Sequence, residues 1–167
     1  MKSKPIILAT CSIPTPHGAF AAHYSAAGLA RLDFPGRKKK AETFAPVPSV
    51  RRWHQRACRA LARVLQGRAA GALPPLDLAA GTPFQRKVWA ALRQIPAGQT
   101  ESYGQLAAAL GAPKAARAVG SACGANPVPL FIPCHRVVPS GGGLGGFSGG
   151  LHWKRRLLAS EGSAHRG

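Results

Sequence analysis

The sequence predicts an α+β fold, with a small N-terminal α/β lobe built on an antiparallel sheet and a mostly helical, winged-helix-like C-terminal lobe that contains a helix-turn-helix. Short apolar runs broken by turn residues fill the start of the chain, and a helical apolar periodicity follows from Ser49. Two capping motifs then begin further helices, at Thr82 and Ser102. We place the lobes at residues 1–75 and 80–167, joined by a connector around Gly71 to Pro75.

The N-terminal lobe has strand patterns followed by one helical pattern. Apolar runs predict strands at residues 6–10, 19–24 and 28–34, with a Pro-, Lys- and Arg-rich loop from Pro35 to Pro48. The role of the basic run Arg37–Lys40 in this loop stays open. A helix is expected from a Ser49 cap to Gly67, because apolar residues recur there at helical spacing: Trp53, Ala57, Leu61, Val64 and Leu65. Its arginines are most simply a solvated face, with phosphate contact as the alternative: Arg51, Arg52, Arg56, Arg59 and Arg63.

Capping boxes predict two helix starts in the C-terminal lobe. In Thr82-Pro83-Phe84-Gln85 the Thr and Gln side chains can satisfy free backbone amides, and Ser102–Gln105 repeats the pattern. The second helix is expected to reach Leu110, and another runs from Lys114 to about Cys123 after a Gly-Ala-Pro break. Two short helices joined in this way predict a helix-turn-helix, although any αα-hairpin would look similar. The helix from Lys114 to about Cys123 is rich in Ala and Gly, and these small side chains favour docking in the minor groove.

Charge and cysteine usage narrow the class of protein. The 167 residues include 23 Lys+Arg and 5 Asp+Glu, a net charge of +18, which indicates a polyanionic partner, nucleic acid ahead of a membrane surface. A basic surface without such a partner is the alternative. The four cysteines are far apart, and the apolar runs are too short for an export signal or a membrane span. We therefore expect a reducing cytoplasm and no membrane partner.

The segment Ile132-Pro-Cys-His-Arg-Val-Val138 carries the strongest chemical signal. A thiolate is a good nucleophile, and the adjacent imidazole of His135 and guanidinium of Arg136 would favour the charged form of Cys134. The competing interpretation is a buried structural cysteine, because free cysteine behaves as a small hydrophobe. A Cys-His pair alone does not identify what is attacked.

The same segment resembles the active-site signature of the O6-alkylguanine-DNA alkyltransferases. Further motifs of that family follow in the same order over residues 81–162, about half of the chain: Gly81-Thr82, Phe84-Gln85, Val88-Trp89, Ile95-Pro96, Gly98, Ser102-Tyr103-Gly104, Arg117–Gly120, Asn126-Pro127, Gly145–Phe147, Gly149-Gly150, and Leu157-Leu158 to Glu161-Gly162. Residues 1–75 resemble the variable N-terminal region of the family only loosely.

The resemblance implies a DNA repair protein that moves the alkyl group of O6-alkylguanine irreversibly to Cys134, once per molecule; activity on O4-alkylthymine stays open. It implies that His135 is the general base, acting through a water, and that Glu161 orients it. Tyr103 would help to protonate the departing guanine. Asn126 would brace the turn that carries the cysteine.

The resemblance also implies a partner and a pocket. The partner is double-stranded DNA, whose damaged base is flipped out from the minor-groove side while Arg117 fills the space that it leaves. The other DNA-binding candidates are Ser102, Ala116, Ala118, Gly120 and Arg136. The base pocket would be formed by Val137, Gly145, Gly146, Phe147 and Ser148. Many family members have Tyr where Phe147 stands, so its wall is kept and a hydroxyl is lost.

Other classes predict different behaviour. An alkyltransferase-like protein binds the lesion without transfer but usually has Trp in place of the cysteine, and an architectural DNA-binding protein also needs no transfer. A cysteine hydrolase would turn over repeatedly.

The histidines and cysteines of the N-terminal part do not form a zinc-site pattern. His17, His23, Cys11 and Cys58 lack zinc-site spacing, and two zinc-ligand positions of some relatives are Ser25 and Ala30 here. We therefore expect no metal, no cofactor and a monomer.

Overall fold

The computed structural model describes residues 4–36 and 47–163. The predicted loop from Pro35 to Pro48, with its basic run Arg37–Lys40, therefore lies mostly outside the described residues. The architecture is the predicted α+β fold, with a three-stranded antiparallel sheet at the start and helices dominating the second half.

The N-terminal sheet has the order β1-β2-β3 and consists of β1 (Ala9–Ile13), β2 (Phe20–Ser25) and β3 (Gly28–Asp33). The first strand begins three residues later than predicted, because Ile6, Ile7 and Leu8 are exposed and precede the paired register that starts with Ala9 opposite Tyr24. The other two strands lie within one residue of their predicted bounds. Apolar character alone therefore misplaced the first strand.

Helix α1 (Pro48–Leu65) packs against β1 and β3. The predicted Ser49 cap is wrong: the N-cap is Val47, with no side-chain cap bond, and Pro48 begins the helix. A proline at the first helical position has no N–H to satisfy, so the helix starts one residue earlier than the cap pattern indicated. The buried face is formed by Val50, Ala57, Ala60, Leu61 and Val64, and the five predicted arginines are exposed.

The connector between the lobes hydrogen-bonds to the first sheet. Leu29 N donates to Pro75 O at 2.8 Å, and Asp77 N donates to Leu29 O at 2.9 Å. Gly28 is required at this crossing, because a Cβ there would lie 2.2 Å from Pro75 O. We keep the boundary between residues 75 and 80 as a proposal, since this segment adds to the sheet rather than hanging free.

The second lobe contains α2 (Pro83–Leu92), α3 (Tyr103–Ala109), α4 (Ala116–Gly124) and α5 (Leu151–Ser160). Both predicted capping boxes are present, at Thr82 and Ser102. Helix α4 packs against α2 and α3, which gives the helix-turn-helix pair. No helix in residues 4–36 and 47–163 combines the length and apolar character that a bilayer-spanning segment requires.

A short parallel pair, β4 (Glu101–Ser102) and β5 (Val137–Val138), joins the start of α3 to the end of the Cys134 turn. Two-residue strands are too short to show a periodicity, and the sequence did not predict them. Their pairing fixes Tyr103, the next residue after β4, relative to the cysteine turn.

An aromatic cluster joins the two lobes. The ring of Phe34, just after β3, lies 5.2 Å from Trp153 and 5.6 Å from Phe147, measured between centroids. Gly149 allows this approach, because a Cβ there would lie 2.6 Å from the Phe34 ring. The N-terminal lobe thus supports the glycine-rich loop that carries Phe147.

Candidate active site

The turn before Cys134 is braced by one buried amide. Asn126 Nδ2 donates to Ile132 O at 2.8 Å and to Cys134 Sγ at 3.2 Å, and Asn126 Oδ1 accepts from Val128 N at 3.0 Å. A single side chain therefore spans the turn and contacts the sulfur. This is the bracing geometry expected for Asn126 from the sequence. Cys134 itself begins a 3-10 turn, Cys134–Arg136.

Cys134 lines a cavity of about 420 Å³, a volume typical of small-ligand sites. Several predicted residues meet there: Tyr103, Gly120, Gly145, Gly146, Phe147 and Ser148. The sequence did not predict two further lining residues, Cys123 and Gly124 of α4. Val137 was predicted in the pocket, but its side chain is fully buried and it is not among the lining residues.

His135 and Arg136 both bind Glu161. His135 Nε2 lies 2.8 Å from Glu161 Oε1, and Arg136 donates to both carboxylate oxygens, at 2.8 to 3.2 Å. Arg136 also donates to Ile95 O at 2.5 Å and is buried. The prediction that Arg136 contacts DNA does not fit this placement, because its guanidinium is already engaged inside the protein.

The pKa values of Glu161 and His135 determine which of their atoms carry protons. Burial alone would raise the pKa of Glu161, but the hydrogen bonds from His135 and Arg136 outweigh it and lower that pKa to about 2. Burial lowers the pKa of His135, so its ring is neutral and donates through Nε2 to the carboxylate. Its other nitrogen, Nδ1, is buried and has no hydrogen-bond partner among the described residues. The arrangement leaves Nδ1 as a free proton acceptor.

The pKa of Cys134 moves opposite to expectation. Burial raises it, and the groups that partly offset burial are the Asn126 amide and the charge of Lys154, not His135 or Arg136. The predicted thiolate next to a histidine and an arginine is therefore wrong for the resting protein. The side chains of His135 and Arg136 instead bind Glu161, which is 25 residues beyond Arg136.

Lys154 of α5 was not predicted to belong to the site. It is fully buried, and its Nζ donates to Val137 O at 2.7 Å and lies 3.5 Å from Gly146 O. Burial lowers its pKa, while the two thiols Cys134 and Cys123 raise it. The sequence held a usable signal, because Lys154 stands three and four residues before the buried Leu157 and Leu158 and so shares their face of the helix.

Cys123 is a second thiol on the same cavity. Burial, and then the nearby Cys134, raise the pKa of Cys123 to about 12. Because the thiolate is the nucleophile, Cys123 is poorly reactive near neutral pH. It is nevertheless an internal comparison for Cys134 in chemical experiments.

The start of α4 forms the exposed surface next to the cavity. Arg117 and Ala118 are exposed, while Ala116 and Gly120 are half-buried. Ser102 does not project freely, because its hydroxyl caps α3 by accepting from Gln105 N at 3.1 Å. The Tyr103 hydroxyl keeps its proton, because burial raises its pKa. The predicted DNA-binding residues other than Arg136 thus lie around the α3–α4 pair.

Residues 83–163 match the family model described as 6-O-methylguanine DNA methyltransferase, DNA binding domain. A methylated-DNA–protein-cysteine methyltransferase of Methanosarcina acetivorans is 42% identical over 139 residues, covering 81% of this chain and 86% of that protein. The chain belongs to this methyltransferase family.

Other family members match to different extents. The methyltransferase of Salmonella typhimurium is 61% identical over 82 residues, so the match spans about half of this chain (49%) and of that protein (48%). The crystal structure of Mycobacterium tuberculosis OGT in complex with DNA has a TM-score of 0.75 and 37% identity, covering 92% of this chain and 94% of that one. The O6-methylguanine-DNA methyltransferase of Pyrococcus kodakaraensis, at 23% identity and a TM-score of 0.57, shares the fold.

Proposed function

We propose that this methyltransferase family member removes the alkyl group of O6-alkylguanine in double-stranded DNA and transfers it to Sγ of Cys134. The observation that carries the proposal is the position of that sulfur. Cys134 lines a cavity of suitable volume beside Tyr103 and Phe147, and the Asn126 amide donates to Sγ. Family membership and the names of the relatives support the same reaction.

The transfer exchanges one bond for another. The Cys134 sulfur, as thiolate, attacks the alkyl carbon in line with the carbon–O6 bond, and the new S–C bond forms as that bond breaks. Guanine leaves with the electron pair and takes up one proton, which the protonated Tyr103 hydroxyl can supply. The proton of the cysteine thiol passes, through a water, to the free Nδ1 of His135. Glu161 holds the His135 ring and stabilises the imidazolium.

Two groups stabilise the sulfur anion during this step. The Asn126 amide donates a hydrogen bond to it, and the buried Lys154 supplies a positive charge. Both lower the pKa of Cys134 against the effect of burial. A thioether is stable in water, so we propose one transfer per molecule. O4-alkylthymine offers the same type of carbon–oxygen bond and can be tested in the same assay.

In this proposal the damaged base enters the cavity by base flipping. A stacked base hides its O6 atom, so the damaged nucleotide must leave the helix. Arg117 is exposed on α4 next to the cavity and can fill the space left in the stack, and the small residues Ala118 and Gly120 allow close approach. A Mycobacterium tuberculosis relative in complex with DNA supports DNA as the partner. The proposed binding surface omits Arg136, which is buried on Glu161.

The deciding experiment measures intact mass after incubation with duplex DNA that contains O6-methylguanine. A single added methyl group that maps to the Cys134 peptide is expected. Cys134→Ser should abolish the mass increase, while Cys123→Ser, which changes the other thiol of the cavity, should retain it. DNA binding without any added mass in the unmodified protein would instead favour an architectural DNA-binding protein and overturn the proposal.

A further inference from the structure

Helix α1 carries a straight row of arginines that the proposed transfer does not use. We call Arg52, Arg56, Arg59 and Arg63 the arginine ridge; all four are exposed. Steps of four, three and four residues keep them within roughly 60° of one line along the helix, at about 100° per residue. At about 1.5 Å of rise per residue the ridge is about 16 Å long.

The ridge has no acidic partners in residues 4–36 and 47–163. The ion pairs that carboxylates form there involve Asp33 and Glu161, and none of them includes a ridge arginine. Arg63 donates through Nε to Ala69 O at 2.8 Å, and this contact with a neutral group leaves its charge uncompensated. Like charges three and four residues apart destabilise a helix. An anionic partner would relieve this repulsion.

We propose that the arginine ridge binds the phosphate backbone of double-stranded DNA, as a second surface in addition to α4. This inference rests on the proposed function, in which DNA is the partner. Measured along the duplex axis, one strand of DNA presents a phosphate about every 3.4 Å, so a row of this length can contact more than one phosphate of the backbone. Guanidinium groups match phosphate geometry through paired N–H donors, which makes arginine suited to this contact.

The ridge and the cavity belong to different parts of the fold. Helix α1 packs against β1, β3 and α5, whereas α4 packs against α2 and α3. The ridge side chains are exposed, and the buried residues that hold α1 in place, such as Ala57 and Leu61, lie on another face. Removing the ridge charges should therefore leave the cysteine site intact. The proposal is a contact that adds affinity without reading sequence.

The experiment compares two variants that lose the same number of charges. The ridge variant carries Gln at all four ridge positions. The control variant carries Gln at four exposed basic positions elsewhere: Arg86, Lys87, Arg93 and Arg155. Dissociation constants for undamaged duplex DNA are measured across a salt series, together with methyl transfer to Cys134 and binding to vesicles of phosphatidylglycerol.

For the ridge variant, the slope of log K against log salt should fall by roughly three, with affinity at low salt at least about tenfold weaker than for the control variant. Transfer from a free O6-alkylguanine base should be unchanged. Equal losses of DNA affinity in both variants would overturn the ridge proposal, since only the net charge of the protein would then matter. An unchanged DNA slope with lost vesicle binding would also overturn it, in favour of a membrane surface. A wild-type protein that transfers nothing, while its DNA affinity still depends on the ridge, would overturn the proposed function but support the ridge as a DNA-binding surface.

Discussion

Lys154 Nζ donates a hydrogen bond to the carbonyl oxygen of Val137, 2.7 Å away, from a position with no exposed surface. Val137 ends the turn that begins at Cys134, so this contact holds the charge of Lys154 at the cysteine site. Buried charges normally have a charged partner. In the described part of the chain the ionisable groups coupled to Lys154 are Cys134, Cys123 and His135, and the two thiols are the ones that raise its pKa. Ionised lysine and ionised cysteine therefore stabilise each other.

Replacing Lys154 by Met should raise the pKa of Cys134 further, because the cation that offsets burial is removed. We expect the pH midpoint of Cys134 alkylation by iodoacetamide to rise, with reaction near neutral pH severalfold slower. Methyl transfer should slow in parallel. Alkylation followed by peptide mass measurement across pH distinguishes Cys134 from Cys123.

The control for this change is Arg155→Met, which removes a charge from the neighbouring, exposed position of the same helix. Its pH midpoint should match that of the wild type. Met also removes the Lys154 hydrogen bond to the buried Val137 carbonyl, so the melting temperature of the variant is measured in parallel to establish that it is folded. An unshifted pH midpoint in the Lys154 variant would contradict its proposed role.

The distance along the chain over which groups interact explains what the sequence could predict. The capping boxes at Thr82 and Ser102 are formed within four residues, and both were predicted correctly. The direction of His135 and Arg136 depends on Glu161, and the charge at Cys134 depends on Lys154 of α5. Neighbours in sequence were therefore a poor guide to the pKa of the cysteine. Most residues that the family resemblance implied for the pocket line the cavity, but the resemblance placed Val137 there, missed Cys123 and Gly124, and could not assign Arg136 to the interior.

Glu161 should make the free energy of unfolding depend on pH in the acidic range. Its pKa is lowered to about 2 in the folded state, against an ordinary value of 4.5, so its stabilising contribution is present above about pH 4.5 and is lost as pH falls towards 2. The shift corresponds to about 3 kcal/mol. Glu161→Gln should lower the free energy of unfolding at neutral pH by about that amount and flatten its pH dependence in this window. Denaturant unfolding across pH measures both.

The matched control is Glu101→Gln, since Glu101 is half-exposed and is not one of the carboxylates that form ion pairs in the described ranges. It should retain the steep acid dependence. If Glu161→Gln retained the wild-type slope between pH 4.5 and 2, the buried contacts of Glu161 with His135 and Arg136 would not account for the acid sensitivity.

Arg117 should matter for duplex DNA and not for the chemical step. Arg117→Ala removes the group proposed to fill the space left by the flipped base, so transfer from duplex DNA should slow by about tenfold or more, since unstacking a base costs a few kcal/mol. Transfer from the free O6-alkylguanine base should be unchanged. Lys114→Ala, which removes an exposed charge just before α4, should weaken action on duplex DNA much less than Arg117→Ala and leave transfer from the free base unchanged. Equal losses on both substrates for Arg117→Ala would show that it does not act in base extrusion.

A side chain at Gly145 should disturb the base site, for a reason that can be separated from backbone strain. Both Gly145 and Gly142 have positive φ, +67° and +90°, so an alanine at either position costs about 1 kcal/mol of stability. A Cβ at Gly142 would meet open space, whereas one at Gly145 would lie 3.1 Å from the Tyr103 hydroxyl. Gly145→Ala should therefore slow methyl transfer, and Gly142→Ala should not, although both variants should lose stability in thermal unfolding. Equal transfer rates would mean that the contact between this loop and Tyr103 does not shape the base site.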